Sequence, residues 1–158
     1  MDFDQKRVDG NRIRAAHKIP VRVYYEDTDF SGVVYHASYL RFLERGRTEF
    51  LRAHGVEHRT IFESGAPFHF VVFNMTIDFR RPALMDDLLT VETRIAAIGG
   101  ASIEMAQTIA RGDERLVTAR VKIAVVAAGK AIRIPAPLAA KLKASPEQGA
   151  NPPHVTGS

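Results

Sequence analysis

Apolar side chains recur with two different periods along this chain, and the change of period marks the change of element. Val21-Arg22-Val23-Tyr24-Tyr25 alternates as a short strand does. A turn-rich stretch, Glu26-Asp27-Thr28-Asp29-Phe30-Ser31-Gly32, follows it. Tyr39, Leu43, Gly46 and Phe50 then recur at spacings of four, three and four, which is one face of an α-helix. Ser38 is the expected N-cap and Gly55 stands where a C′ glycine belongs. The opposite face carries Arg41, Glu44, Arg45, Arg47, Glu49 and Arg52 and reads as solvated, with Arg45 and Glu49 forming a weak i,i+4 pair. Gly46 in mid-helix costs about 1 kcal/mol against Ala. Close packing of another element against it would offset that cost.

Everything beyond Ala66 reads as strand. Phe68–Phe79, Leu88–Ile98, Ala101–Arg111 and Arg115–Val126 are the segments, with Gly99-Gly100 and Gly112-Asp113 as hairpin turns. In the last segment Val117, Ala119, Val121, Ile123 and Val125 make an apolar face, and Thr118, Arg120 and Lys122 lie on the other. Long strands joined by tight turns are antiparallel. The expected fold is therefore α+β, an antiparallel sheet of about five strands with one long helix on one face. A second subunit is expected to cover part of the other face.

One domain, residues 19–143, is expected. Residues 1–18 mix both charge signs and place Phe3, Val8 and Ile13 in no pattern, so they read as a flexible arm. Residues 144–158 hold Pro146, Pro152 and Pro153 with almost nothing to bury, so they read as a disordered tail.

Composition narrows the function classes. The chain has 158 residues, 46% hydrophobic and 25% charged, a globular balance. It has no Cys, which excludes a disulfide framework, a Cys-ligated metal and thiol catalysis, and fits a reducing compartment. No apolar run approaches the length that spans a bilayer. The first residues, MDFDQKRVDGNRIRAAHK, contain no apolar h-region, so a cytoplasmic location and no membrane insertion are expected. The net charge of +4 suits an anionic ligand, but the basic residues are too scattered for a nucleic-acid footprint. His54, His58 and His69 have no metal-ligand spacing, and no metal is expected.

The densest set of reactive groups is Tyr25, Glu26, Asp27, Asp29 and His36, in the loop before the helix. Backbone N–H groups at a helix start are unpaired and carry partial positive charge, so an anion or carbonyl oxygen is stabilised there. A carboxylate beside such an oxyanion site suits acyl transfer. Asp residues in such loops also serve as caps or Asx turns, and that is the reading for Asp27. Gly32 serves a positive φ or a close backbone approach.

The stretch from Tyr24 to Tyr39, YYEDTDFSGVVYHASY, with its pattern D-x-D-x-x-G-x-V-x-x-x-x-Y, resembles the acyl-CoA thioesterases of the hotdog fold. It is most similar to the branch of 4-hydroxybenzoyl-CoA thioesterase and the Tol–Pal-associated YbgC proteins, and Leu40 to Glu49 continues the likeness. The resemblance implies a long helix wrapped by an antiparallel sheet, pairing of subunits through their sheets into homodimers or homotetramers, and sites at the subunit interface. It implies that Asp29 is the catalytic carboxylate, with Tyr25 and His36 as supporting catalytic groups and the backbone N–H at His36 as oxyanion donor. The implied reaction is hydrolysis of an acyl-CoA thioester, with a short-chain or aromatic acyl group, to free acid and coenzyme A. Asp29 acts as nucleophile or as general base, with no cofactor beyond the coenzyme A of the substrate. The alternative is a weakly catalytic or non-catalytic module that binds an acyl carrier protein or an envelope complex. A hydratase of the same fold would rest on an Asp–His pair on the helix, whose interior offers Glu44, Glu49 and His54 but no Asp.

Overall fold

The computed structural model describes residues 16–57, 59, 61 and 67–144. Strand β1 (His17–Arg22) is followed by a 3-10 turn at Tyr25–Asp27 and helix α1 (His36–Ala53). Strands β2 (His69–Phe79), β3 (Leu88–Ile98), β4 (Ser102–Arg111), β5 (Glu114–Ala127) and β6 (Lys130–Ile132) come next, and helix α2 (Ala136–Lys143) closes the described chain. The sheet order is β1-β3-β4-β5-β2, with β6 on β5, and every pairing is antiparallel. Helix α1 lies against β1, β3 and β4. This is the helix-in-sheet arrangement of the hotdog fold.

The period-two pattern dictates the sheet face that takes the helix. Leu89, Val91 and Ile95 of β3 and Ile103, Met105 and Ile109 of β4 are buried, and so is the alternating row from Val117 to Val125 of β5. They close over Phe42, Leu43 and Phe50 of α1 in one core. Burying a side chain of this size contributes roughly 1.5–3 kcal/mol.

Gly46 is the point of closest approach between helix and sheet. A Cβ there would fall 2.6 Å from Val91 Cγ1, 2.9 Å from Thr93 Oγ1 and 3.0 Å from Gln107 Nε2. Beneath it the buried Gln107 amide donates to the Leu43 carbonyl and to Thr93 Oγ1, both at 2.9 Å, and accepts from Arg47 Nη1 at 3.1 Å. Arg47 is thus turned to the sheet rather than solvated, and the loss of water lowers its pKa.

Several sequence expectations are corrected. Helix α1 starts at His36 with Tyr35 as N-cap. Ser38 is instead a buried residue of the first turn, its hydroxyl donating to the Asp27 carbonyl at 3.0 Å. Glu49 pairs with Arg52 at 3.5 Å and not with Arg45. The segment beyond Ala66 is not all strand. Leu138 and Leu142, four apart and both buried, give α2 its inner stripe. Among the described residues the strands number six, because a two-residue turn at Ala128-Gly129, with φ of 49° and 76°, returns the chain as β6. Strand β1 begins at His17, inside the stretch read as an arm. Residues 1–15 of that arm and the tail from residue 145 lie outside the described residues. Gly55, with φ +75°, follows the helix as its C′ residue.

His17 gives the fold a pH dependence. Its Nδ1 is buried with no hydrogen-bond partner among the described residues. Burial lowers its pKa, Glu49 works the other way, and His54 adds to the lowering. An unfolded His titrates near 6.5, so below about that pH the unfolded chain takes up the proton first and stability falls. Above it the penalty vanishes. Melting temperature is expected to drop as pH is lowered from about 7 to about 5.5, and to drop less in His17→Gln. Equal slopes in the two proteins would remove His17 as the cause.

Candidate active site

The two carboxylates of the Asp-x-Asp motif have opposite environments. Asp27 is buried and its work is structural. Its Oδ2 accepts the Tyr24 N–H at 2.8 Å, capping the 3-10 turn, and its Oδ1 lies 3.6 Å from Arg41 Nη2. Its carbonyl accepts the Tyr35 N–H at 2.9 Å, which fixes the residue entering α1. Asp29 is exposed at the mouth of a cleft of about 240 Å³ lined by His36, Tyr39, Phe79, Arg80 and Arg81, among others.

The loop that presents Asp29 is tied by its backbone. Asp29 N–H donates to the Val33 carbonyl at 2.9 Å, and Gly32 N–H to the Asp29 carbonyl at 3.1 Å. Gly32 has φ +79°, which supplies the left-handed turn. The loop is strapped to residues 83–85, with Val34 N–H donating to the Ala83 carbonyl and Met85 N–H to the Gly32 carbonyl. The buried Tyr39 hydroxyl accepts the Ala83 N–H at 2.9 Å, and burial raises the Tyr39 pKa. The strap continues to Asp87, which accepts from Leu84 N–H and from Arg111. Burial works to raise the Asp87 pKa, but these bonds outweigh it and hold the carboxyl below its ordinary value.

Asp29 Oδ1 accepts both the Ser31 N–H at 2.9 Å and the Ser31 hydroxyl at 2.6 Å. Those bonds, the hydroxyl first, hold the Asp29 carboxyl below the ordinary carboxylate range; desolvation opposes them, and the Val33 backbone N–H and the charge of His36 add smaller lowering effects. The group is therefore ionised at neutral pH.

His36 is the first residue of α1. Its ring meets Phe79 edge-on, with centroids 4.6 Å apart and planes at 68°. The first-turn N–H groups have no carbonyl within the helix. That of Ser38 is taken by the Tyr35 carbonyl at 2.8 Å, while those of His36 and Ala37 stand at the positive end of an 18-residue helix. Asp29, His36 and this helix end therefore come together, as the sequence predicted. Tyr25 does not join them within the protomer: the residue is 81% exposed and outside the cleft lining. Sequence reasoning missed Ser31, which looked like turn filler, and the Arg80–Arg81 wall. It also missed Gln107, although a polar residue in phase with Ile103, Met105 and Ile109 was a visible signal. Among the described residues no three His, Asp or Glu side chains converge as metal ligands, and no helix is long and apolar enough to cross a membrane.

The chain has well-defined relatives. The sequence pattern of the thioesterase superfamily matches residues 31–118, which begins just past Asp29 and takes in His36 and most of the sheet. The acyl-CoA thioesterase YbgC of Haemophilus influenzae is 49% identical over 111 residues, 70% of this chain and 81% of its own. The acyl-CoA thioester hydrolase YbgC of Escherichia coli O157:H7 is 45% identical over 98 residues, covering 62% and 72% of the two chains. The crystal structure of a probable thioesterase from Bartonella henselae superposes with a TM-score of 0.74 at 50% identity, covering 77% of this chain and all of that one. With its helix-in-sheet fold and its Asp-x-Asp loop at the helix start, the chain belongs to the thioesterase superfamily.

Proposed function

We propose that this protein is an acyl-CoA thioesterase that cleaves the bond between sulfur and the acyl carbonyl, with Asp29 as the reacting carboxylate. The observation that carries the reading is the juxtaposition of an exposed, ionised carboxylate with the free N–H end of α1 in one cleft. The YbgC relatives named as acyl-CoA thioesterases support it. A thioester carbonyl is weakly resonance-stabilised, and a thiol of pKa about 8.5 leaves readily as thiolate. A carboxylate suffices against such a substrate. Asp29 either attacks the carbonyl, forming a mixed anhydride that water hydrolyses, or takes a proton from an attacking water. The carbonyl oxygen, gaining charge, is received by the His36 N–H at the helix start. In this reading the edge contact with Phe79 fixes the His36 ring, and the reaction needs no cofactor.

The reading takes a short or aromatic acyl group as substrate, and Arg80 and Arg81 at the cleft wall suit an anionic coenzyme. Thiol release from a panel of acyl-CoA and acyl-carrier-protein thioesters tests the reading. Turnover of at least one thioester supports it, and binding without turnover would make the protein an interaction module instead.

The reading includes a second copy of the chain. Strand β2 is 11 residues long, pairs only with β5 among the described residues, and exposes Val71, Val72 and Phe73. A long apolar edge invites strand addition. Tyr25 would serve catalysis from such an assembly, presented outward to a neighbouring protomer's cleft. Light scattering is expected to give a dimer or tetramer, and Phe73→Lys to shift it toward monomer with loss of turnover. A stable active monomer would contradict the shared site.

A further inference from the structure

The two oxygens of Asp29 are not equivalent. Oδ1 is held twice by one residue, through the Ser31 N–H at 2.9 Å and the Ser31 hydroxyl at 2.6 Å, while Oδ2 accepts neither of these bonds. A carboxylate on an exposed loop otherwise rotates about two side-chain torsions. Two bonds to one oxygen, one from the backbone and one from a side chain only two residues away, fix both. We propose that Ser31 is a positioning residue of the reaction: its hydroxyl clamps Oδ1 and so leaves Oδ2 as the oxygen that meets the thioester carbonyl or the attacking water. This rests on Asp29 being the reacting carboxylate.

The loop itself does not depend on the hydroxyl. Its backbone bonds from Asp29 to Val33 and from Gly32 to Asp29, and its ties to residues 83–85, involve no Ser31 side-chain atom. Removing Oγ therefore loosens the carboxylate while the loop keeps its course. The electrostatic consequence has a definite sign. Charge-assisted hydrogen bonds stabilise the ionised form, so losing one raises the Asp29 pKa. The carboxylate stays ionised at pH 7.5, and its greater basicity alone would speed proton transfer or attack rather than slow it. A fall in kcat at that pH consequently reports lost orientation.

The test compares Ser31→Ala, Ser31→Thr and Asp29→Asn with the unaltered protein, using one turned-over acyl-CoA. Ser31→Ala is expected to lower kcat about tenfold, the loss of roughly one charge-assisted bond, with KM within about twofold. It is expected to move the acid limb of the kcat profile to higher pH, and Ser31→Thr to restore both rate and limb. Carbon-13 NMR of the Asp29 carboxyl should show the same upward pKa shift in Ser31→Ala without substrate. Unchanged kcat and carboxyl titration in Ser31→Ala, alongside an inactive Asp29→Asn, would overturn the clamp and leave Asp29 in its role. A fully active Asp29→Asn would overturn the reading beneath it.

Discussion

Asp29→Asn is expected to lower kcat for thioester cleavage by about a thousandfold or more, the scale seen when a reacting group is removed from a hydrolytic site. Melting temperature should not move. The substitution is nearly isosteric, and the Asn side-chain oxygen can still accept from the Ser31 N–H and hydroxyl, so the turn is retained. What is lost is the negative charge at an exposed position. The neighbouring carboxylate makes the natural control, because Asp27 is buried, caps the 3-10 turn and faces Arg41. Asp27→Asn should appear first as lost stability, since it removes the charge facing Arg41 and weakens the loop's anchor. Thiol-release kinetics beside thermal melts separate the two. Comparable turnover in Asp29→Asn and the unaltered enzyme would take Asp29 out of the mechanism.

Gly46→Ala is expected to destabilise the fold by about 1–3 kcal/mol, although Ala is the better helix former by about 1 kcal/mol. The added methyl meets Val91, Thr93 and Gln107, all buried, at 2.6–3.0 Å. None can swing into solvent. Val91 is packed in the core, and moving Gln107 breaks its bonds to Leu43, Thr93 and Arg47. Each such bond contributes about 1 kcal/mol, and an orphaned buried amide costs more. The melting temperature should fall by several degrees. An unchanged or higher value would mean that β3 and β4 give way at no cost and that Gly46 is not a packing requirement.

The elements that declared themselves did so through period. Leu88–Ile98 matches β3 to the residue, and the apolar row of β5 faces the core as its alternation requires. Tyr39, Leu43, Gly46 and Phe50 are all buried, as one helical face should be. Errors fell at the ends of elements and at short ones. Ser38 has the hydroxyl that suits an N-cap, but that hydroxyl donates to the Asp27 carbonyl instead. Helix α2 has only two buried leucines to announce it. Arg47 sat among charges along the sequence, yet the approach of the helix to β4 brings it to Gln107.

The order of hydrophobic and polar residues by itself determined an antiparallel sheet with one long helix, the glycine that lets the two touch, and the loop that carries the reactive groups. These follow from local periodicity and from the few backbone shapes each residue tolerates. Which of two carboxylates faces the cleft was not determined that way. Asp27 and Asp29 are chemically identical and two residues apart; the likeness of the motif singles out Asp29, but the physical difference between them lies in the direction of each side chain and the partner it meets. The tertiary structure decided it by sending Asp27 inward to a backbone N–H and Arg41, and by leaving Asp29 at the helix start with Ser31 holding one of its oxygens.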